Sequence, residues 1–101
     1  MKALIIKTPQ AVMELIAKRA RAKRLEKNLS QTTLSDKSGV SLAVIKKFER
    51  LGKISLESLL KIALVLDALT EFENLFNPIL PEQLQSLDTL LASKERQRGR
   101  E

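Results

Sequence analysis

The side chains that could do chemistry here are overwhelmingly cationic, and they are unevenly placed. Residues 1–56 carry 13 Lys or Arg against 4 Asp or Glu, a charge of +9. Residues 57–93 set Lys61 against Glu57, Asp67, Glu71, Glu73, Glu82 and Asp88, a charge of −5, and the last eight residues return +2, giving +6 for the chain. A basic half on a small protein attracts polyanions, and cations that neutralise phosphates release condensed counterions. The plainer alternative is that the basic residues only solubilise a helical surface.

Other chemistry is thinly supplied. The 101 residues include no His, Cys, Tyr or Trp. Disulfides, zinc–thiolate sites and thiol nucleophiles are thereby excluded, and two common proton-transfer groups are missing. No Gly-rich phosphate loop, metal cluster or nucleophile–base pair is visible. Neither an enzyme nor a bound cofactor is expected. The apolar runs fall far short of the ~20 residues that span a bilayer. Thr8-Pro9 interrupts the first of them before any signal-peptide pattern develops. A soluble cytoplasmic protein is expected, with no membrane partner.

Hydrophobic residues make up 44% of the chain and the only aromatics are three Phe, so Leu, Ile, Val and Ala must build the core of a single domain. The elements follow from caps and periodicity. Residues 1–8 read as an arm in which Leu4, Ile5 and Ile6 form either a short strand, needing a partner strand, or a frayed end packed on helices. Thr8 and Pro9 are an N-cap and first-turn pair, opening a helix to about Lys27. Val12, Leu15, Ile16, Ala20 and Leu25 recur along it at helical spacing, and Asn28 suits a left-handed end. Ser30 caps a second helix, Gln31 to Lys37, anchored by Leu34. After a tight turn at Ser38-Gly39-Val40, Ser41 caps a third, Leu42 to about Arg50, with Ile45 and Phe48 on one face. Gly52 breaks the chain, and Ser55 caps a fourth helix to about Leu66. Its Leu56, Leu59, Leu60, Ile62, Ala63 and Leu66 form a broad apolar surface. Thr70 and Glu73 have the spacing of a capping box opening a fifth helix that carries Phe72, Leu75 and Phe76. Beyond Asn77-Pro78 and Pro81, Leu84, Leu87, Leu90 and Leu91 suit a sixth amphipathic helix, which ends in the basic run KERQRGR.

Two short helices joined by a tight glycine turn form the helix-turn-helix plan. The stretch LSQTTLSDKSGVSLAVIKKFERLG, followed by SLESLLKIALVLDALTEFENLF, resembles the lambda-repressor and Cro-like, or XRE-type, family over residues 9–76. That resemblance implies an all-α, five-helix domain at 9–76, an arm or short strand at 1–8, and a C-terminal helix with basic tail at 77–101. It implies that the third helix lies in the major groove of double-stranded DNA, blocking transcription from an operator on the nucleoid. By position, Gln31 touches a phosphate or braces the reading helix, Ser41, Leu42 and Ala43 form its leading edge, Lys46 and Lys47 lie one turn on, and Arg50 contacts a phosphate. Leu42 and Ala43 depart from the polar residues usual in the family. They can meet a thymine methyl, while Lys46 or Lys47 can reach guanine O6 and N7, with DNA shape contributing. Alternatively, this helix no longer reads DNA and serves a protein partner.

The resemblance also sets Arg24 against Glu49, as either a partly buried pair locking the reading helix or a solvated surface pair. Family members usually bind paired half-sites as two-fold homodimers. Two surfaces could serve: the strand with Leu4, Ile5 and Ile6, or the Phe72, Leu75 and Phe76 face with the sixth helix. The apolar N-terminal segment and Thr-Pro entry further resemble HipB-type antitoxins, which repress their own operon and dock a HipA-like kinase toxin. Phage-type repressors and restriction-modification controllers share the same core.

Overall fold

Hydroxyl side chains decide where four of the helices begin. The computed structural model describes residues 7–78. Within them lie α1 (Pro9–Glu26), α2 (Gln31–Ser38), α3 (Leu42–Leu51), α4 (Leu56–Val65) and α5 (Leu69–Glu73). The Thr8, Ser30, Ser41 and Ser55 hydroxyls accept from the backbone N–H of Ala11, Thr33, Val44 and Ser58, at 3.0, 3.0, 3.2 and 3.1 Å. Each satisfies a donor that the first helical turn leaves orphaned, worth about 1 kcal/mol.

The ends are equally specific. Gly39 and Gly52 terminate α2 and α3 in the left-handed region, at φ +80° and +78°. Asn28 and Asp67 do the same for α1 and α4, at φ +57° and +58°. At both, the two hydrogen bonds of a Schellman motif close the end. Leu29 N–H reaches Arg24 O and Asn28 N–H reaches Leu25 O; Ala68 N–H reaches Ala63 O and Asp67 N–H reaches Leu64 O. Lys27, just past α1, bonds Asp67 across the two helix ends at 2.5 Å.

That ion pair holds the Asp67 carboxyl below its ordinary range, chiefly through the Lys27 hydrogen bond and then the Lys27 charge. A carboxylate depressed in the folded state stabilises above its unfolded pKa, near 4, and the contribution is lost as pH falls through the folded value. Because Asp67 is exposed, the effect is small. Asp67→Asn keeps a residue that tolerates the left-handed conformation and removes the charge. Its melting temperature should therefore fall less than that of the parent between pH 6 and pH 3 in thermal scans. An identical acid slope would show that the pair contributes nothing.

Leu34, Ile45, Phe48 and Ile62 are sealed in the centre, joined by Ala17, Val40 and Leu66. The packing partners are α1 with α3, α2 with α3 and α4, and α4 with α5. Several inward assignments are corrected. Val12, Leu15 and Leu25 are each 40% or more exposed, and the inward face of α1 is instead Ala17 and Arg24, flanked by Ile16 and Ala20. Leu56, at the start of α4, is also exposed, so the core stripe of that helix is Ile62, Ala63 and Leu66 with Leu59 beside it.

The capping box at Thr70 does not form. The Schellman turn at Asp67 has already redirected the chain, so α5 starts at Leu69, its N-cap is Ala68, and no side chain caps it. Thr70 lies inside the helix, which ends at Glu73, so Leu75 and Phe76 follow α5 rather than ride on it. The residues proposed for the arm strand (Leu4, Ile5, Ile6), the sixth helix at 82–93 and the basic tail lie outside the described residues.

Candidate nucleic-acid interface

The presentation of α3 begins at its base. Gly52 closes the helix against α1 so tightly that a β-carbon there would sit 2.9 Å from the backbone C and O of Met13. Ile45 and Phe48 fix the inward side, at 0% and 2% exposure. Glu49 flanks them and is held by three donors. Arg24 Nε bonds its Oε2 at 2.7 Å, and Arg24 Nη2 bonds its Oε1 at 2.9 Å. Gln31 Nε2 bonds Oε1 at 3.0 Å. The third nitrogen of Arg24, Nη1, donates to Leu29 O at 2.8 Å. Both charged side chains are about 7% exposed, so this is a two-pronged, desolvated pair rather than a solvated surface contact. It ties α1, the start of α2 and the end of α3 together.

With that side fixed, the opposite side of α3 is determined. At about 100° per residue, Ala43, Lys46, Lys47 and Arg50 fall within an arc of about 100°, centred opposite Ile45, Phe48 and Glu49. All four are exposed. Leu42 stands at the edge of this arc and is half-buried, whereas Ser41 is exposed with its oxygen engaged as the cap. Gln31 contacts Glu49, so the role seen for it is bracing, from the first turn of α2. The turn before α3 is closed by side chains that sequence reasoning overlooked. Ser35 Oγ donates to Val40 O at 2.6 Å, and Ser38 Oγ accepts from Val40 N–H at 3.1 Å. Two serines, four residues and one residue before a left-handed glycine, were the available signal.

Arg21 was also missed. It is exposed, and its Nε lies 4.0 Å from Glu49 Oε1. With Lys18 and Arg50 it brings cations to an open groove of about 550 Å³ between α1 and the end of α3, where Glu14 and Glu49 are the carboxylates. Its position three residues before Arg24, on the same side of α1, was the signal.

Two short helices joined by a serine-closed glycine turn, the second presenting cations outward, match a known family. The family model HTH_3, described as helix-turn-helix, aligns with residues 21–73, just over half of the chain. The chain belongs to this XRE-type helix-turn-helix family. It is accordingly a DNA-binding regulator of transcription, and the matched span runs from Arg21 through α5. No curated protein matches the regulator's sequence. Among its described residues, no helix is long and apolar enough to cross a membrane.

Proposed function

We propose that the regulator is a sequence-specific repressor that occupies its operator as a homodimer, acting without catalysis or cofactor, in the cytoplasm and on the nucleoid. The observation that carries this reading is the braced, outward arc of Ala43, Lys46, Lys47 and Arg50 on α3. Lys46 and Lys47 are the candidates for guanine O6 and N7, Ala43 for a thymine methyl, and Arg50 for a phosphate. The free N–H groups at the start of α2, beside Gln31, favour a second phosphate. The arm residues Leu4, Ile5 and Ile6 are the favoured dimer contact, by strand pairing across the two-fold axis.

Within that class, the reading favoured is an antitoxin that represses its own operon and neutralises a HipA-like kinase toxin. Its support is the resemblance of the apolar arm and the Thr8-Pro9 entry to HipB-type proteins. A kinase-like reading frame beside the gene is the expected accompaniment. Its absence would favour a phage-type repressor or a restriction-modification controller.

Selecting bound duplexes from a random pool supplies the operator. On it, the double variant Lys46→Ala/Lys47→Ala should weaken binding by about 2–6 kcal/mol per half-site, at about 1–3 kcal/mol per lost base contact. The parent's affinity should fall steeply with salt, in proportion to the phosphates neutralised. Unchanged operator affinity in the double variant would remove α3 as the reading helix. Flat, negligible binding at all salt concentrations would favour the protein-interaction alternative.

A further inference from the structure

On the side of α1 away from α3, an open apolar groove of about 230 Å³ runs between α1 and the α4–α5 pair. Leu59, Ala63, Leu66 and Phe72 line it. Arg19 and Lys23 contribute from α1, and Glu71 contributes from α5. The chain leaves from the groove itself, since Leu75 also lines it. Leu75 is 55% exposed, and Phe76 beside it is 99% exposed at φ +60°. Leu75 thus leaves an exposed apolar side chain at the edge of the groove, where the chain continues toward Pro78.

The sequence supplies a cover of matching chemistry. Residues 82–93, EQLQSLDTLLAS, place Leu84, Leu87 and Leu91 at the spacing of one helical stripe. They carry Glu82 and Asp88 and no cation, the complement of Arg19 and Lys23. We infer that segment 82–93 seats its leucine stripe in this groove of its own chain, with Asp88, which flanks the stripe, toward Arg19 and Lys23. Three residues separate Pro78 from Glu82, within the range of roughly 2–8 that joins packed helices. A tether that short gives roughly millimolar effective concentration, which a second copy at micromolar concentration does not match. The inference is independent of DNA reading, which uses the α3 face.

The chain has no cysteine of its own, so engineered pairs report directly. Ala20→Cys, on the groove wall, is combined in turn with Cys at each position from 83 to 92 and oxidised in dilute solution. A disulfide peaking at 84, 87 or 91 and confined to monomers on a non-reducing gel is the expected result. In parallel, the triple variant Leu84→Ser/Leu87→Ser/Leu91→Ser should keep most of its helical circular dichroism, losing no more than the share of segment 82–93. Its melting temperature should drop by roughly 5–10 °C at every protein concentration. Disulfides formed only between chains, or a drop that depends on concentration, would assign the groove to a second copy and overturn the inference. Disulfides without positional preference, or an unchanged melting temperature, would leave the groove uncovered and overturn it too. Operator binding, measured on the same variants, reports separately on the α3 face.

Discussion

Glu49→Ala is expected to destabilise the fold by about 3–5 kcal/mol in urea titration, because it leaves the buried Arg24 guanidinium without its counter-charge. The magnitude follows from burial. An exposed Lys or Arg pair gains at most about 1 kcal/mol, but here both side chains are about 7% exposed and joined by two hydrogen bonds. Losing the carboxylate frees two of the Arg24 donors at once, leaving only the bond to Leu29 O, and also removes the acceptor of Gln31. Against a total stability of about 5–15 kcal/mol, a loss of that size should move the urea midpoint well below that of the parent. The control is Arg24→Met/Glu49→Leu, which removes both charges and should recover most of the loss, as apolar replacements of buried pairs often do. Operator affinity distinguishes the two roles of the pair. The double variant should fold yet bind more weakly, because α3 has lost its brace to α1 and Gln31 its anchor. A loss under 1 kcal/mol for Glu49→Ala would mean that water screens the pair.

What the sequence discloses is mostly local. Thr8, Ser30, Ser41 and Ser55 announce their helices because a cap needs only its own side chain and an N–H three residues on. Gly39, Gly52 and Asn28 announce the ends because few residue types accept a positive φ. Asp67 plays the same role as Asn28 without the glycine or asparagine that would have flagged it. The start of α5 was misplaced at Thr70 for that reason: a well-spaced Thr and Glu lost to a turn completed two residues earlier. The inward face of α1 was misread because periodicity counts large apolar side chains. The space against α3 admits Ala17, while Arg24, the other buried residue of α1, is polar. Nothing local signals that narrowness, since it is set by a glycine 35 positions after Ala17. The cationic arc on α3 was legible as spacing, but its bracing by Gln31 depends on how three helices converge.

That distant glycine carries the second large prediction. Gly52→Ala should cost about 2–5 kcal/mol, in two separable parts. A left-handed backbone, at φ +78°, costs an L-residue about 1–2 kcal/mol. The added methyl would meet the carbonyl carbon and oxygen of Met13 at 2.9 Å and the nitrogen of Glu14 at 3.2 Å. These are backbone atoms inside α1 and have no rotamer to escape through, so the overlap adds about 1–3 kcal/mol. Gly39→Ala isolates the first part: its φ is +80°, and nothing lies within 4 Å of where the methyl would go. It should cost about 1–2 kcal/mol and leave operator affinity within about twofold for the folded fraction. Gly52→Ala should differ in kind as well as size. Relief of the overlap requires the end of α3 to move off α1, which turns Lys47 and Arg50 relative to the rest of the domain and strains the Arg24–Glu49 contact. Weaker operator binding at a temperature where the variant remains folded is the diagnostic result. Equal stability losses for the two glycine variants would show that α3 docks on α1 more loosely than the Gly52 contact requires, and that the reading face is held by Arg24 and Glu49 alone.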